Sequence, residues 1–349
     1  MVLVFFAVVV MAGAVALSAT DGLLAWDVRF AYLPAADHVL DGLSPYPALD
    51  DPILEDQKGY VYPPQLVVFL VPFAWLPVGV VALLATLVML VLLGLTLWLL
   101  EVRDVRCYAV ALLWVPSISG VLLANVSIPL ACALAVLWRY RDRVWPPGLA
   151  LGLSVSTKFV LWPMFVWMLV TRRLRASTAA IAIGLAVTLA AWAVIGFEGL
   201  TGYPDLVRRL SDIQAENSYS LVGMAATAGL PDAVGRALTL VVGGGLLAAC
   251  VLFTRRGDEV RAFTCAVAAT LALSPIVWLH YLVVLLVPLA IARPRFSPIW
   301  LLPILLWVSP KPGYAEGFQT FVPAVAVVIL LGVLLARPRV PARLEPAVA

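Results

Sequence analysis

Arginine clusters separate the apolar stretches of this chain along its whole length. Six junctions carry such clusters: 103–106, 139–143, 172–175, 255–261, 293–295 and 337–343. Two longer polar segments, 21–64 and 197–235, are acidic instead. Because basic residues mark the cytoplasmic loops of membrane proteins, we expect all six junctions inside and both acidic segments outside. This distribution predicts an all-α polytopic membrane protein.

The composition supports a single membrane domain. Hydrophobic residues make up 63% of the chain and charged residues 12%, against about 45–50% and 25% in soluble domains. We therefore expect one integral domain, residues 1–336, followed by a cytoplasmic tail, 337–349. The basic clusters are short and lie at helix ends, so they indicate topology and not a nucleic-acid groove.

Apolar run lengths predict how often the chain crosses the membrane. A helix needs about 20 apolar residues to span the hydrocarbon core, and five runs reach or approach this length: 2–19, 78–100, 177–195, 234–253 and 318–335. Other runs have basic residues at both ends, so they must go out and return. Their predicted turning points lie near Asn125, Lys158, 274–275 and 309–312. This pattern predicts about 12 crossings with both chain ends inside.

The returning runs place polar residues close together. Passes of about 14–16 residues are too short to cross alone, and lipid cannot satisfy the free backbone groups at their tips. The tips must therefore lie inside protein, beneath the two external segments. We expect an outward-facing site there, at the membrane boundary.

Asp27 is the first candidate for chemistry. It follows the first helix closely and opens a segment, 27–41, with helical spacing of apolar residues that ends at Gly42, a usual helix cap. A carboxylate at an apolar boundary is partly desolvated, which suits a general base. The alternative is an aspartate that caps the helix or is solvated.

Four basic side chains are candidates for anion binding. Lys158 is the only charged residue of its apolar run. A charged side chain inside a membrane segment is energetically costly unless it has a partner, and a phosphate is a suitable partner for a lysine. The alternative is that Lys158 snorkels to the outer headgroups. His280 either packs in the core or binds a ligand. Arg208 and Arg209 oppose the charge of their segment, which favours contact with a phosphate or a lipid headgroup.

Aromatic and amide side chains complete the set of candidates. Tyr46, Tyr60 and Tyr62 lie near the predicted membrane surface, where tyrosines form interfacial belts or contact sugar rings and hydroxyls. Asn125 marks a turn and has the alternative role of capping the next half-helix.

These features occur in an order that resembles a known family. The pattern begins with Asp27, a Gly-x-x-x-Tyr element at 42–46 and a Tyr-x-Tyr-Pro-Pro element at 60–64. It continues with a polar turn at Asn125 and a hairpin lysine, Lys158. It ends with an Asn-Ser loop at 217–221 and a Ser-Pro-x-x-Trp-x-His tip at 274–280. Together they resemble the polyprenol-phosphate-mannose-dependent mannosyltransferases of glycosyltransferase family 87, which have the GT-C fold. The chain departs from the family in having one histidine, His280, where a pair is frequent.

The resemblance implies a fold, a location and an activity. The fold is a GT-C-like bundle of about 12 transmembrane helices, with short broken helices and two extracytoplasmic loops, in the inner (plasma) membrane. The activity is inverting transfer of a sugar, mannose in this family, from a polyprenyl-phosphate donor to a lipid or glycan acceptor outside. Besides membrane lipids, these substrates are the expected partners. No cofactor or metal is expected, because scattered acidic residues make a poor Mg²⁺ site.

The resemblance also distributes roles among the candidate residues. It makes Asp27 the general base. The donor phosphate is assigned to the basic side chains: Lys158, His280, Arg208 and Arg209. The sugar or acceptor is assigned to polar and aromatic side chains: Tyr46, Tyr60, Tyr62, Asn125, Asn217 and Trp278. Two alternatives stay open: a multi-pass lipid or polyprenyl-phosphate transporter or flippase, and a same-fold transferase of arabinofuranose or glucose.

Overall fold

The structure, a computed structural model, describes residues 1–214, 217–308 and 317–336, and these contain helices and turns without a β-strand. The α-helices in chain order are α1 (Val2–Thr20), α2 (Leu33–Leu40), α3 (Gln65–Leu70), α4 (Val78–Leu99), α5 (Val105–Leu113), α6 (Val115–Leu123), α7 (Ser127–Arg139), α8 (Trp145–Thr157), α9 (Pro163–Val170), α10 (Leu174–Val194), α11 (Tyr203–Gln214), α12 (Leu221–Thr227), α13 (Asp232–Arg255), α14 (Glu259–Ala272), α15 (Leu286–Ala292) and α16 (Phe321–Leu335). A π-helical turn, Val28–Tyr32, and several 3₁₀ helices join them: Pro52–Leu54, Val71–Phe73, Phe159–Leu161, Leu279–Leu285, Pro298–Val308 and Gly317–Thr320. The all-α prediction is confirmed. The predicted turn at 309–312 and the predicted tail 337–349 lie outside the described residues.

Several helices are suited to crossing a membrane. Within the described residues, α1, α4, α10 and α13 are long and apolar enough, and α5 with α6 forms a further, bent candidate. Four of the five predicted apolar stretches coincide with these long helices. The fifth, 318–335, contains the shorter α16, of 15 residues. The chain is therefore a polytopic membrane protein.

The run from 107 to 138 bends more than the sequence predicted. We expected one pass outward and one back, meeting near Asn125. The outward pass is itself broken, because α5 and α6 meet at an angle of 69°. Trp114 is extended at the break, and Pro116 lies in the first turn of α6. Proline has no N–H to bond to the preceding turn, so α5 cannot continue through it without losing a hydrogen bond.

Three helix interruptions meet at one end of the bundle. The first separates α6 from α7 at Ala124 and Asn125, the second separates α8 from α9 at Lys158, and the third is the 3₁₀ helix Leu279–Leu285. Both α6 and α7 pack on that 3₁₀ helix. The Ala25 N–H donates to the carbonyl of Leu122 at 2.7 Å, which fixes the segment that carries Asp27 to the end of α6.

Glycines let α8 and α10 approach closely. A Cβ placed on Gly152 would lie 2.6 Å from the carbonyl oxygen of Ala180, and Gly184 faces Gly152 across the same contact. Small residues are what allow membrane helices to pack backbone to backbone. This contact positions the two helices that form one wall of the site.

Arginine clusters from separate junctions meet at the other end. Arg173 donates to the carbonyl of Arg141 at 2.7 Å and pairs with Asp142 at 2.8 Å. Arg141 in turn pairs with Glu259 at 3.3 Å. Three of the six basic junctions therefore share one side of the molecule, as the positive-inside rule requires of cytoplasmic loops.

Candidate functional site

Asp27 precedes a short helical segment that lies between α1 and α3. The π-helical turn Val28–Tyr32 continues directly into α2, which ends at Leu40. Gly42 follows with a φ of +72°, and its N–H donates to the carbonyl of Val39. The predicted helix and its glycine cap are therefore present, with one difference: the first turn is wider than an α-helical turn.

One oxygen of the Asp27 carboxylate is held by two donors. The Nδ2 of Asn125 donates to Oδ2 at 2.5 Å, and the hydroxyl of Tyr32 donates to the same oxygen at 3.1 Å. The Oδ1 atom accepts no hydrogen bond from the described residues. The carboxylate is thus fixed in orientation and keeps one oxygen available.

Ser127 determines which way the Asn125 amide points. Both the backbone N–H and the hydroxyl of Ser127 donate to Asn125 Oδ1, at 3.0 and 2.7 Å. With its oxygen engaged there, the amide must direct Nδ2 to Asp27. Asn125 therefore caps the start of α7, as its alternative role required, and also holds Asp27.

The surroundings of Asp27 affect its acidity. The residue lies outside the membrane-spanning helices and is half-buried. Burial raises the pKa of its carboxyl above the ordinary value, while the bonds from Asn125 and Tyr32 and the charge of Lys158 act against this rise without reversing it. A carboxylate with a raised pKa is a better proton acceptor than an exposed aspartate.

Lys158 lies at the break between α8 and α9. Its Nζ donates to the hydroxyl of Tyr62 at 3.4 Å and to the hydroxyl of Tyr281. The ammonium group also stands over the ring of Tyr281. Neutral hydroxyls therefore hold Lys158, and no carboxylate pairs with it within residues 1–214, 217–308 and 317–336.

A cavity of about 750 Å³ opens next to Lys158. Its polar lining includes Tyr62, Lys158, Tyr203, Trp278 and Tyr281. The remaining wall is largely apolar: Val155, Phe159, Trp162, Phe165, Ile181, Leu185 and Leu210 are among its residues. An apolar chamber with a few polar groups at one place suits a ligand that has a long apolar part and a charged head.

The predicted tyrosines have different surroundings. Tyr62 lines the cavity, whereas Tyr60 is buried and its hydroxyl donates to the carbonyl of Pro63 at 2.6 Å. Tyr46 stacks on Trp192 with ring centroids 5.8 Å apart. Tyr60 and Tyr46 therefore shape the loop that presents Tyr62, and Trp192 itself lines the cavity.

The neighbouring residues His280 and Tyr281, at the end of the histidine tip (residues 274–280), have different surroundings. His280 is 6% exposed, and its Nε2 has no hydrogen-bond partner among the described residues. It does not line the cavity, whereas Tyr281 and Trp278 do. The sequence pattern predicted a role for His280 but not for Tyr281, which contacts Lys158 directly.

Helix α11 turns its arginines away from the cavity. Val207, Leu210 and Ser211 line the cavity, while Arg208 and Arg209 lie on the exposed side of the helix. Arg208 pairs with Asp205 at 3.0 Å. The structure therefore does not bring the predicted arginines to Lys158.

The loop after α11 lies against the histidine tip. The N–H of Tyr219 donates to the carbonyl of Val277 at 2.8 Å. Asn217 is half-buried two residues earlier.

Within the described part of the chain, no three His, Cys, Asp or Glu side chains are grouped so that they could hold a metal ion.

Comparison with known proteins identifies the family. The model of glycosyltransferase family 87 matches residues 60–275, more than half of the chain, a range that includes Asn125 and Lys158 but not Asp27. The polyprenol-phosphate-mannose-dependent alpha-(1-2)-phosphatidylinositol mannoside mannosyltransferase of Mycolicibacterium smegmatis is 24% identical over 305 residues, covering 75% of this chain and 69% of the relative. No solved structure matches significantly. The chain belongs to glycosyltransferase family 87 and is a membrane glycosyltransferase.

Proposed function

We propose that this protein transfers mannose from a polyprenyl-phosphate donor to a hydroxyl of a lipid or glycan acceptor, with inversion at the anomeric carbon. The observation that carries the proposal is the pair of oriented groups, Asp27 and Lys158, beside a largely apolar cavity. The mannosyltransferase relative, named for a polyprenol-phosphate-mannose donor and a phosphatidylinositol mannoside acceptor, supports the choice of substrates.

Asp27 acts as the general base in this proposal. Its free Oδ1 takes the proton of the acceptor hydroxyl while the acceptor oxygen bonds to the anomeric carbon and the bond from that carbon to the phosphate oxygen breaks. Asn125 and Tyr32 hold the other oxygen, so the lone pair that accepts the proton is fixed in direction. Positioned proton transfer of this kind contributes about 10²–10⁴-fold in rate.

Lys158 balances charge on the departing phosphate. Before donor binds, the partners of its ammonium group among the described residues are the hydroxyls of Tyr62 and Tyr281. A phosphate replaces such neutral partners readily, because its negative charge adds a Coulomb attraction to the ammonium group that a hydroxyl lacks. The two hydroxyls can then donate to the phosphate oxygens as well.

The apolar part of the cavity accounts for a lipid-linked donor. A polyprenyl chain can lie along Phe159, Phe165 and Leu185 while its phosphate reaches Lys158. Trp192 and Tyr203 lie on the same lining and offer ring faces or a hydroxyl to the sugar. His280 is buried behind this lining, which leaves it a supporting position.

We further propose a GT-C-like bundle of about 12 transmembrane helices in one domain, with the site facing the extracytoplasmic side of the inner (plasma) membrane. The paired short helices supply the crossings beyond the long ones. Cysteines introduced at the exposed positions Asp50 and Gly202 should react with an impermeant thiol reagent on intact cells, and one at Asp142 should not. The four native cysteines are buried, so their background should be low. Reversed labelling would overturn this orientation.

Two other activities were open from the sequence alone. Family membership favours a transferase over a polyprenyl-phosphate transporter or flippase. A donor carrying arabinofuranose or glucose is the remaining alternative. It is decided by incubating the purified protein with labelled polyprenyl-phosphate mannose, arabinofuranose or glucose and phosphatidylinositol mannosides. Transfer of mannose alone supports the proposal, and transfer of only another sugar refutes the donor assignment.

A further inference from the structure

A second large cavity, of about 1010 Å³, lies at the end of the bundle that carries the arginine clusters. It is bounded by the ends of α4, α7 and α15 and by the start of α14. Helix α7 begins beside Asn125 and ends at Arg139 on this cavity. Its 13 residues span about 20 Å at 1.5 Å per residue. The second cavity is therefore separate from the site around Asp27.

The lining combines guanidinium groups with an apolar wall. Four arginines reach it: Arg103, Arg139, Arg141 and Arg295. The acidic residues on the lining are Glu101 and Asp104. Leucine, isoleucine and proline side chains form the apolar wall, which is what a cavity at the edge of the hydrocarbon core presents to a lipid.

Both acidic residues are already engaged by arginine. Glu101 pairs with Arg139 at 3.0 Å. Asp104 pairs with Arg106 at 2.8 Å and also accepts the N–H of Phe296. Neither carboxylate is therefore available to neutralise the other arginines of the lining.

Two arginines of the lining remain without a carboxylate. Among the described residues, neither Arg103 nor Arg295 forms an ion pair, and both side chains are exposed. Arg103 stands over the Trp98 ring at 5.8 Å. Two unpaired guanidinium groups on one cavity favour an anion, because their planar donors match the oxygens of a phosphate.

We propose that this cavity binds the headgroup phosphate of an anionic phospholipid from the leaflet on the basic side of the protein. The phosphate lies between Arg103 and Arg295, and the apolar wall receives the start of the acyl chains. Basic pockets between membrane helices on the cytoplasmic side are suited to such headgroups. The proposal does not depend on the transfer reaction.

The test measures lipid affinity in the full-length protein. A short-chain fluorescent phosphatidylglycerol is titrated into the protein in neutral detergent, against the same label on phosphatidylcholine. The double variant R103Q/R295Q should bind phosphatidylglycerol about tenfold more weakly, because it loses two exposed ion pairs with the phosphate, each of which contributes a few-fold to affinity. The control R172Q/R175Q removes the same charge from exposed arginines of a junction that does not line the cavity, and it should change affinity less than about twofold.

Three results would overturn the proposal. Equal weakening in both double variants would mean that the basic surface attracts lipid diffusely. Equal affinity of the wild type for the two lipids would mean that the anionic headgroup is not recognised. Displacement of the bound lipid by millimolar inorganic phosphate would assign the site to a free phosphate compound instead. Thermal unfolding of both variants confirms that they are folded.

Discussion

The change of Asp27 to asparagine tests the proposed base directly, because it removes the proton-accepting oxygen and keeps the shape of the side chain. The amide oxygen of asparagine can still accept from Asn125 Nδ2 and the Tyr32 hydroxyl, which now lie 2.5 and 3.1 Å from Oδ2. The atom that changes is Oδ1, which becomes an amide nitrogen without a lone pair for the proton. Shape and orientation are retained, and the capacity to accept the proton is lost.

The expected loss of rate is large. Removal of a positioned base lowers turnover about 10²–10⁴-fold. At about 1.36 kcal/mol for each factor of ten, this corresponds to roughly 3–5 kcal/mol of activation free energy. An aspartate that only caps a helix should instead tolerate asparagine with little effect, because the two residues cap about equally well.

In contrast to the loss of rate, we expect Asp27→Asn to leave the stability of the folded protein unchanged or to increase it. Two hydrogen bonds to a charged acceptor become bonds to a neutral one, a loss of roughly 1 kcal/mol each. Against this, burial holds the pKa of Asp27 above its ordinary value despite those bonds, so the desolvation cost exceeds their benefit. Above the unfolded pKa, the ionised carboxylate therefore favours the unfolded chain, and a neutral amide removes that contribution. We expect the unfolding temperature of Asp27→Asn at pH 7 to equal or exceed that of the wild type.

The assay compares turnover, donor affinity and thermal unfolding in one preparation. Collapse of transfer with unchanged donor affinity and an equal or higher unfolding temperature is the predicted result. Turnover within a few-fold of the wild type would mean that Asp27 is not the base. A variant that loses transfer and stability together would assign Asp27 a structural role.

Three further predictions concern Asp27 and the groups around it. Lys158→Met should weaken binding of a polyprenyl-phosphate analogue by about 1.5–3 kcal/mol, as expected for a lost bond to a charged group, whereas Arg208→Met should leave it unchanged; equal affinities in a calorimetric titration would place the phosphate elsewhere. Ser127→Ala should lower kcat about 2- to 10-fold, because it removes one of the two hydrogen bonds that orient the Asn125 amide and leaves the backbone one. Donor affinity should be unchanged, and Ser127→Thr should restore the rate; identical kcat in the alanine variant would exclude this positioning role. The acid limb of kcat/KM should lie above the ordinary aspartate pKa of about 3.9, because burial raises the pKa of Asp27 and activity falls as that group is protonated; a limb at or below pH 4 would contradict the assignment.

Local properties of the sequence were sufficient to predict the long helices. The length of an apolar run is set by neighbouring residues, so the stretches at 2–19, 78–100, 177–195 and 234–253 predicted α1, α4, α10 and α13. The bend at Trp114 is not predicted by apolar length, because it depends on one proline, Pro116, within a long apolar run. Its position in the first turn of α6 is a signal that the sequence does contain.

Contacts between residues that are distant in the sequence could not be predicted from local sequence patterns. The sequence predicts roles for Asp27 and Asn125 separately. Their hydrogen bond joins positions 98 residues apart and follows from the way α6 meets the segment 21–64. The choice between His280 and Tyr281 depends on rotation about a helix axis. In a 3₁₀ helix, with 3.0 residues per turn, adjacent side chains point in directions about 120° apart. A motif can therefore identify the tip while leaving open which neighbour faces the cavity.

The tyrosines around the site separate two charges that would otherwise neutralise each other. A lysine bonded directly to Asp27 would lower the pKa of the carboxylate strongly and weaken it as a base. Instead Asp27 bonds to Tyr32, Lys158 bonds to Tyr62, and these two rings meet edge to face at 5.5 Å. No ion pair joins the carboxylate and the ammonium group in the part of the chain that the structure describes. The base therefore keeps its affinity for a proton, and no carboxylate competes with the phosphate for Lys158, because neutral hydroxyls stand between the two groups.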